Sequence, residues 1–419
     1  MSPSSHPRVA IVGAGIVGTA IAYELRKRGA QVTLVDRDEP GSGCSSGNSG
    51  AVSPASVAPV AMPGVLASVP KMLLDGDSPL HLPLAYLPRA LPCLLRFVAS
   101  ATPAAVQEAA RKLADIHRGA LEAHEAMTRE IGVPELFHRQ GHLHLYPDAD
   151  ALGKDAGGWR LRREYGWHYE QLDRSGIEAL EPMVHARYRV GIWMPDHATI
   201  LNPHRYVLAL HAAYARAGGG TVRARVEALQ PAPPGWRLQG AGTLPDAVFD
   251  HVVVAAGAWS PQLLRPLGIP LHLESQRGYH IQFQGAHGTV SRTVVLVDKK
   301  VFVAPMEEGL RVGGTVEIGG TTAPPDPRRA ALLGRIARDT FPGLEGLPAT
   351  TWMGHRPCMP DSVPVIGPAP RHAGLWIATG HGHLGLTDSL NTARRIAEGM
   401  LGPVPARAMA AHPAAATAR

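Results

Sequence analysis

Residues 9–36 read Val9-Ala-Ile-Val12-Gly13-Ala-Gly15-Ile-Val-Gly18, continue through Thr19-Ala-Ile-Ala-Tyr-Glu-Leu25-Arg-Lys-Arg-Gly29, and close on Gln31-Val-Thr-Leu-Val35-Asp36. The β-branched run Val9–Val12 has the character of a strand buried on both faces. Ala20, Ile21 and Leu25 recur at helical spacing as far as Gly29, and Gln31–Val35 returns as a second strand. Strand, glycine loop, helix, strand and acid within about thirty residues make a βαβ unit of the dinucleotide-binding kind. Gly13 forms the tight turn, Gly15 lets the backbone approach a pyrophosphate, and Gly18 lets the helix pack on the strand. The helix opens at Ile16 and Val17, where amides and the positive end of the helix dipole meet an anion. Asp36 is placed to accept hydrogen bonds from a ribose. The motif alone does not separate NAD from FAD.

Working outward, the chain has 419 residues, 45% of them apolar and 18% charged, which excludes disorder, a disulfide scaffold and a collagen-like fibre. Its length allows two or three domains with real cores. Cys44, Cys93 and Cys358 cannot all pair and show no zinc spacing, so free thiols and a reducing compartment are expected. The charge of +6 is mild, and Arg28, Arg89, Arg139, Arg223 and Arg335 are scattered, so no nucleic acid partner is expected. The short run Val9–Val12 ends in glycines and lacks the core of a signal peptide. No 18-residue uncharged apolar stretch exists, so no membrane-spanning helix is expected. Leu80–Val98 is apolar and punctuated by Pro83, Pro88 and Pro92. It reads as a buried or pocket-covering segment, with contact to a bilayer surface as the other reading.

Further along, Ser45-Ser46-Gly47-Asn48-Ser49-Gly50 is a small polar loop after the second strand. It either wraps a diphosphate or is simply solvated. Ala104–Ile131 reads as one long helix, Gly141–Tyr146 as a strand, and Leu161–Tyr165 as the start of another helical stretch. Pro203–Ala217 is helical again, and Gly218–Gly220 leads into a strand at Thr221–Val226. Val248–Ala256 is a buried strand that ends at Ala255-Ala256-Gly257-Ala-Trp259, small enough to admit a nucleotide close to the backbone. Gln276–Gln282, Val294–Ala304 and Gly309–Glu317 read as antiparallel strands. The last block joins Trp352–Gly367, a strand at Leu375–Ala378, the turn Thr379-Gly-His381-Gly382-His383-Leu384-Gly385-Leu386-Thr387 and a helix to Met400. Nucleotide-binding patterns at both ends require two interleaved domains. The Ala/Pro-rich tail after Pro403 is expected to fray.

Six blocks together resemble the glycine oxidase and D-amino acid dehydrogenase superfamily of FAD enzymes, with the DAO-type fold, over residues 8 to about 402. They are VAIVGAGIVG with Asp36-Arg37, SSGNSGAVSP (Ser45–Pro54), VVVAAGAWS (Val252–Ser260), RGYHI (Arg277–Ile281), GHRPCMPDSVPVIG (Gly354–Gly367) and ATGHGHLGLT (Ala378–Thr387). The Asn48 stretch and the closing motif are most similar to bacterial D-amino acid dehydrogenases. The resemblance implies an α/β protein in which a Rossmann-like FAD-binding domain (1–80, 200–262 and 346–405) interleaves with an α+β substrate domain built on an antiparallel sheet (81–199 and 263–345). A flexible tail (406–419) follows. It implies noncovalent FAD rather than NAD. The first unit would contribute Gly13, Gly15, Ile16, Val17, Gly18, Asp36 and Arg37, and the polar loop Ser45, Ser46, Asn48 and Gly50. Val226, Ala256, Gly257, Trp259 and Gly354 would follow, with Gly382, His383, Leu384, Gly385, Leu386 and Thr387 at the closing turn.

Arg356 matches the family arginine that clamps a substrate carboxylate, and Tyr279 a tyrosine that assists it. A helix starting near Gly385 would aim its amides at the flavin edge where negative charge gathers on reduction. His381 and His383 sit in a glycine-rich turn without further ligands, so no metal is expected. His142 and His144 read as ordinary strand residues. Glycine oxidases carry an arginine near the position of His383, which this chain lacks, so a second carboxylate contact falls to Arg277 or Tyr279. In sarcosine oxidases with covalent flavin, the bonded cysteine falls where this chain has Gly354, so Cys358 is expected to be unlinked. The implied activity is oxidation of a D-amino acid by hydride transfer from Cα to flavin N5, giving an imino acid and then a 2-oxo acid. Geometry rather than a protein base would do most of the work. D-proline or cis-4-hydroxy-D-proline dehydrogenation, a glycine/sarcosine-type oxidase and a flavin subunit of a hetero-oligomer remain alternatives. A quinone or other acceptor, and a cytoplasmic location with possible attachment to the inner face of the membrane, complete the expectation.

Overall fold

The computed structural model describes residues 6–63 and 80–403. The expected tail at 406–419 lies outside these residues, as does the last part, 64–70, of the loop Ser53–Pro70 that the sequence places at the pocket.

Among the described residues, the first sheet has seven strands in the order Gly235–Gly242, Gly220–Ala232, Gln31–Asp36, Arg8–Val12, His251–Val254, Leu375–Thr379, Val365–Pro368. The inner five are parallel, and an antiparallel strand closes each edge. The parallel core follows from composition, because Val9, Ala10 and Ile11 are fully buried and pair with Val32–Leu34 on one side and His251–Val253 on the other. Burying each of the valine, isoleucine and leucine side chains contributes about 1.5–3 kcal/mol. The helix Ile16–Lys27 packs against this sheet and against the last helix, Gly385–Leu401, through Ile21, Leu25, Leu390, Ala393 and Ile396. Gly13 holds φ +114° and Gly18 lies under the same turn. A Cβ on Gly18 would fall 1.8 Å from the Gly13 carbonyl oxygen, so only glycine lets helix and strand approach this closely.

The second sheet runs Ala349–Cys358, Glu274–Gln284, Gly309–Ile318, Val301–Met306, Thr293–Leu296, His142–Tyr146, Val190–Met194, Glu170–Leu172, with Leu80–His81 alongside Gly309–Ile318. Its pairings are antiparallel except for Thr293–Leu296 on His142–Tyr146 and the short Leu80–His81 contact. One face packs on Phe283, Val303, Val312, Leu333 and Phe341.

Several elements differ from expectation. The helix read over Ala104–Ile131 is two, Pro103–His117 and Ala120–Glu130, broken where Gly119 takes φ +68°. The segment Val294–Ala304 is a hairpin of Thr293–Leu296 and Val301–Met306, because Asp298-Lys299-Lys300 turns at the surface with Lys300 at φ +53°. The helix expected to begin at Leu161 instead ends there, as Ala156–Glu164, closed by Gly166 at φ +83°. The strand at Thr221–Val226 extends to Ala232 and forms a hairpin with Gly235–Gly242, while Val248–Ala256 shortens to His251–Val254.

Two parts of the expected partition also sit differently. Ala349–Cys358, grouped with the nucleotide half, is hydrogen-bonded throughout to Glu274–Gln284 of the second sheet. The helices Pro103–His117 and Ala120–Glu130, grouped with the substrate half, dock on the last helix, where Asn391 Nδ2 donates to the Ile116 and Arg118 carbonyls at 2.8 and 3.0 Å.

Candidate active site

A cavity of about 920 Å³ is walled by both sheets. From the first sheet come the turn around Gly13–Val17, Asp36 and Arg37, the strand end Ala255–Trp259 and Val226. From the second come Gln276, His280, Gly313–Val316 and Trp352–Cys358. Gly382–Leu386 closes one end, and the helix Leu87–Ala99 covers another side with Ala90, Leu94 and Phe97. The pocket-covering reading of Leu80–Val98 therefore describes this helix's inner face. Its outer face leaves Leu91 and Leu95 at 47% and 61% exposure.

The nucleotide-binding turn is built as its sequence requires. Gly13 N donates to the Val35 carbonyl at 2.8 Å, and a Cβ on Gly13 would lie 2.4 Å from the Ala255 carbonyl oxygen. Asp36 accepts from Ala14 N at 2.6 Å and from Asp38 N at 3.0 Å, which fixes its carboxylate at the cavity wall. Ser45 Oγ accepts from Ile16 N at 2.9 Å. The Arg37 guanidinium lies over the Trp259 ring, 4.4 Å from its centroid.

The polar loop 45–50 is not merely solvated: the second sheet grips it. His280 Nδ1 donates to the Gly47 carbonyl at 2.8 Å, and the His280 ring stacks on Trp352 with centroids 5.1 Å apart. Arg311 Nη1 donates to the Asn48 carbonyl at 2.6 Å and the Ser46 carbonyl at 3.2 Å. Sequence reasoning missed His280, Trp352 and Arg311. The first two lie within motifs already noted, and alternation along the strands could have placed them on the face of Arg356.

Four expected cofactor residues do not line the cavity. Gly18 serves helix packing. The Ser46 hydroxyl turns back to the Ser42 and Gly43 carbonyls, and Gly50, at φ +69°, shapes the loop. Thr387 is fully buried behind the wall, its hydroxyl donating to the Ala51 carbonyl and accepting from Ser53 N. The remaining expected residues line the cavity.

Two helices point their N-termini into this cavity, Ile16–Lys27 and Gly385–Leu401, and neither is capped by the side chain of its N-cap residue, Gly15 or Leu384. One suits a pyrophosphate and the other a ring edge that gains negative charge. The residues present therefore fit FAD. Gly13–Val17, Asp36, Ser45 and Asn48 would hold its nucleotide part, and Gly382–Leu386 the flavin.

On the substrate side, Arg356 is half-buried in the wall and makes no ion pair among the described residues. Its Nη1 donates to the Thr315 carbonyl at 2.9 Å and its Nη2 to that of Gly314 at 3.5 Å. Tyr279 borders the cavity but sends its hydroxyl the other way, and Arg277 lies off the cavity wall, because successive strand residues face opposite sides of a sheet. Tyr279 packs in the core of the far face, and its hydroxyl donates to Glu317 and accepts from Asp326 N at 2.9 Å. Arg277 is 1% exposed, pairs with Glu317 at 3.3 Å and donates to the Pro324 carbonyl. The Tyr279 hydroxyl is thus committed to other partners, and Arg277, with only its Nε unpaired, lies off the cavity wall.

His383 is exposed to the cavity, whereas His381 is buried with its Nε2 3.0 Å from Thr392 Oγ1. Burial pushes the imidazole of His381 down to about 4. His142 and His144 lie on a strand as expected, yet both reach the cavity wall beside His197. His142 Nε2 donates to the Ala198 carbonyl at 2.9 Å, leaving its Nδ1 to accept from His197 Nδ1 at 3.0 Å. Cys358 borders the cavity as a free thiol, pushed up to about 12 chiefly by burial.

A parallel nucleotide-binding sheet joined across one cavity to an antiparallel sheet is the architecture of the two-domain flavin oxidoreductases. The sequence pattern of the DAO family, FAD-dependent oxidoreductases, matches residues 8–399, and the chain belongs to that family. It is 38% identical over 405 residues to a D-amino-acid oxidase of Bradyrhizobium diazoefficiens, covering 95% of this chain and 96% of that protein. It is 34% identical over 422 residues to D-amino acid dehydrogenase 2 of Ralstonia nicotianae, covering 96% and 98%. Among solved structures, glycine oxidase from Geobacillus kaustophilus superposes with a TM-score of 0.72 at 20% identity, covering 96% of each chain. Iminodiacetate oxidase from Chelativorans superposes at 0.71 and 23% identity, covering 95% and 96%. These likenesses confirm the fold. The chain is an FAD-dependent oxidoreductase acting on amino acids or related amines.

Proposed function

We propose that the chain oxidises D-amino acids to imino acids, which water converts to 2-oxo acids and ammonia. The observation that carries this reading is Arg356, a half-buried cation on the cavity wall with no carboxylate partner among the described residues. Such a guanidinium is matched by the planar carboxylate of an amino acid, held through paired charge-assisted hydrogen bonds. The chemistry that FAD supplies when bound is acceptance of a hydride from the substrate Cα. Arg356 fixes the carboxylate and with it the direction of the Cα–H bond. The N-terminus of Gly385–Leu401 contributes amides and a positive potential at the cavity wall. The helix Leu87–Ala99 and the stack of His280 on Trp352 narrow access to water.

The names of the relatives support the D configuration of the substrate. The oxidase name of the 38% relative favours a second reading, in which oxygen takes the electrons instead of a quinone or similar acceptor. Mixing the protein anaerobically with D- and L-amino acids, glycine, sarcosine, D-proline and cis-4-hydroxy-D-proline tests the substrate. Bleaching of the flavin by D-amino acids and not by their L forms is expected, and no bleaching across the set would refute the proposal. Peroxide formed in air at the rate of turnover with an artificial acceptor would select the oxidase. In the same preparation, Arg356→Ala should raise KM about 10- to 100-fold, as loss of a charge-assisted bidentate contact implies. FAD is held noncovalently in this reading, so acid precipitation should leave all flavin in the supernatant and Cys358 unmodified.

A further inference from the structure

The strand Gly309–Ile318 carries an irregularity beside Arg356. Against Glu274–Gln284 the register runs from Arg277 opposite Glu317 to Tyr279 opposite Gly314, so Thr315 and Val316 together face the single residue Gly278. This is a β-bulge, a device that re-aims groups at sheet positions near sites. Thr315 adopts φ +58°, the left-handed region that a β-branched residue avoids. It is 3% exposed, and its hydroxyl has no hydrogen-bond partner among the described residues. Two unfavourable features at one residue require a compensating contact. Its carbonyl makes one, accepting from Arg356 Nη1 at 2.9 Å while the preceding carbonyl, that of Gly314, receives Nη2 at 3.5 Å. Successive carbonyls of a regular strand point to opposite sides, and the left-handed residue brings these two to the same guanidinium. Gly278 supplies the room, since a Cβ there would lie 2.1 Å from Arg356 Cζ.

We propose that Gly278 and the bulge at Thr315 form a seat that positions Arg356, two backbone carbonyls holding one edge of the guanidinium so that its other donors face the substrate carboxylate. Gly278 and Thr315 are thus positioning residues. The proposal rests on the reading of Arg356 as the carboxylate clamp.

The test uses holoprotein and benzoate, an unreactive carboxylate whose binding is read from the flavin absorption, beside KM and kcat for a D-amino acid substrate and the melting temperature. Gly278→Ala should push the guanidinium off its seat. Benzoate Kd and KM should both rise about tenfold or more, with kcat within about twofold and flavin content and melting temperature unchanged. Thr315→Gly permits φ +58° without strain, so it should bind benzoate within twofold of wild type and melt higher. Thr315→Pro cannot adopt that φ and should lose benzoate as Gly278→Ala does, with no further loss when combined with Arg356→Ala. Wild-type benzoate affinity in Gly278→Ala, with Arg356→Ala weakened, overturns the seat and spares the clamp. Equal affinity in Arg356→Ala and wild type overturns the clamp and the seat with it. Weakened binding in Thr315→Gly assigns the effect to the threonine side chain and overturns the role of the turned backbone.

Discussion

His280 Nδ1 donates to the Gly47 carbonyl at 2.8 Å, tying the antiparallel sheet to the loop that follows the second strand of the nucleotide-binding unit. The loop's serines and asparagine make local turns, but its place against the cavity is set by His280, by Trp352 over Gly47 and by Arg311. Replacing His280 with Ala should therefore loosen a cofactor contact from the opposite sheet. A neutral hydrogen bond and a ring stack contribute about 1–2 kcal/mol together, so FAD affinity should fall roughly 5- to 30-fold. Titrating apoprotein with FAD by flavin fluorescence measures it.

Tyr279 and Arg356 should separate cleanly. The Tyr279 hydroxyl is spent on Glu317 and Asp326 inside the far face, so Tyr279→Phe should lower stability by about 1–3 kcal/mol and leave KM for a D-amino acid within twofold. A tenfold rise in KM for this variant, measured alongside its denaturant midpoint, would place the hydroxyl at the substrate after all.

Gly13 cannot be replaced. At φ +114°, with the Ala255 carbonyl oxygen 2.4 Å from where a Cβ would sit, Gly13→Ala combines backbone strain with a clash. A loss of about 2–4 kcal/mol is expected, together with loss of bound flavin. Thermal unfolding and the absorbance ratio of flavin to protein report the two effects separately.

The buried histidines set the response to acid. Burial pushes His117, His124, His142 and His381 down to about 4 and His280 to about 3, so each is neutral in the folded protein while its unfolded counterpart titrates near 6.5. Between those values the unfolded chain binds more protons, so stability falls as pH drops from about 6.5 towards 4. Asp388 and Glu274, raised by burial, act in the opposite sense but are two groups against these five. The melting temperature should be several degrees lower at pH 5 than at pH 7, and equal values would remove this account.

Arg356 shows how much of the site was legible. Its motif was visible in the chain, and the resemblance implied a clamp for a carboxylate, whereas its lack of an ion-pair partner among the described residues came from the structure. The sequence could not say that Thr315 and Gly278 hold it, because a bulge is a mismatch between two strands and neither strand records it alone. The partners of the Tyr279 hydroxyl were hidden for a related reason. Within RGYHI every residue looks available, and only the pleat puts Gly278 and His280 on the face of Arg356 while the Tyr279 hydroxyl and the Arg277 side chain run to Glu317 behind it. The helix read over Ala104–Ile131 failed at Gly119, where periodicity continues across a break that only the backbone dihedral reveals.

By itself, the stretch from Val9 to Asp36 determined the nucleotide-binding half, because strand burial, glycine turns and helix dipoles are local consequences of residues close in the chain. The closing turn at Gly382–Leu386 followed the same local logic, its small residues opening a helix N-terminus onto the cavity. Tertiary structure alone decided which residues share the substrate cavity and what holds the loop at 45–50. It also decided that Ala349–Cys358, grouped by sequence with the nucleotide side, belongs to the antiparallel sheet. Those outcomes depend on register and facing between strands distant in the chain, where shifting one residue turns every side chain to the other face.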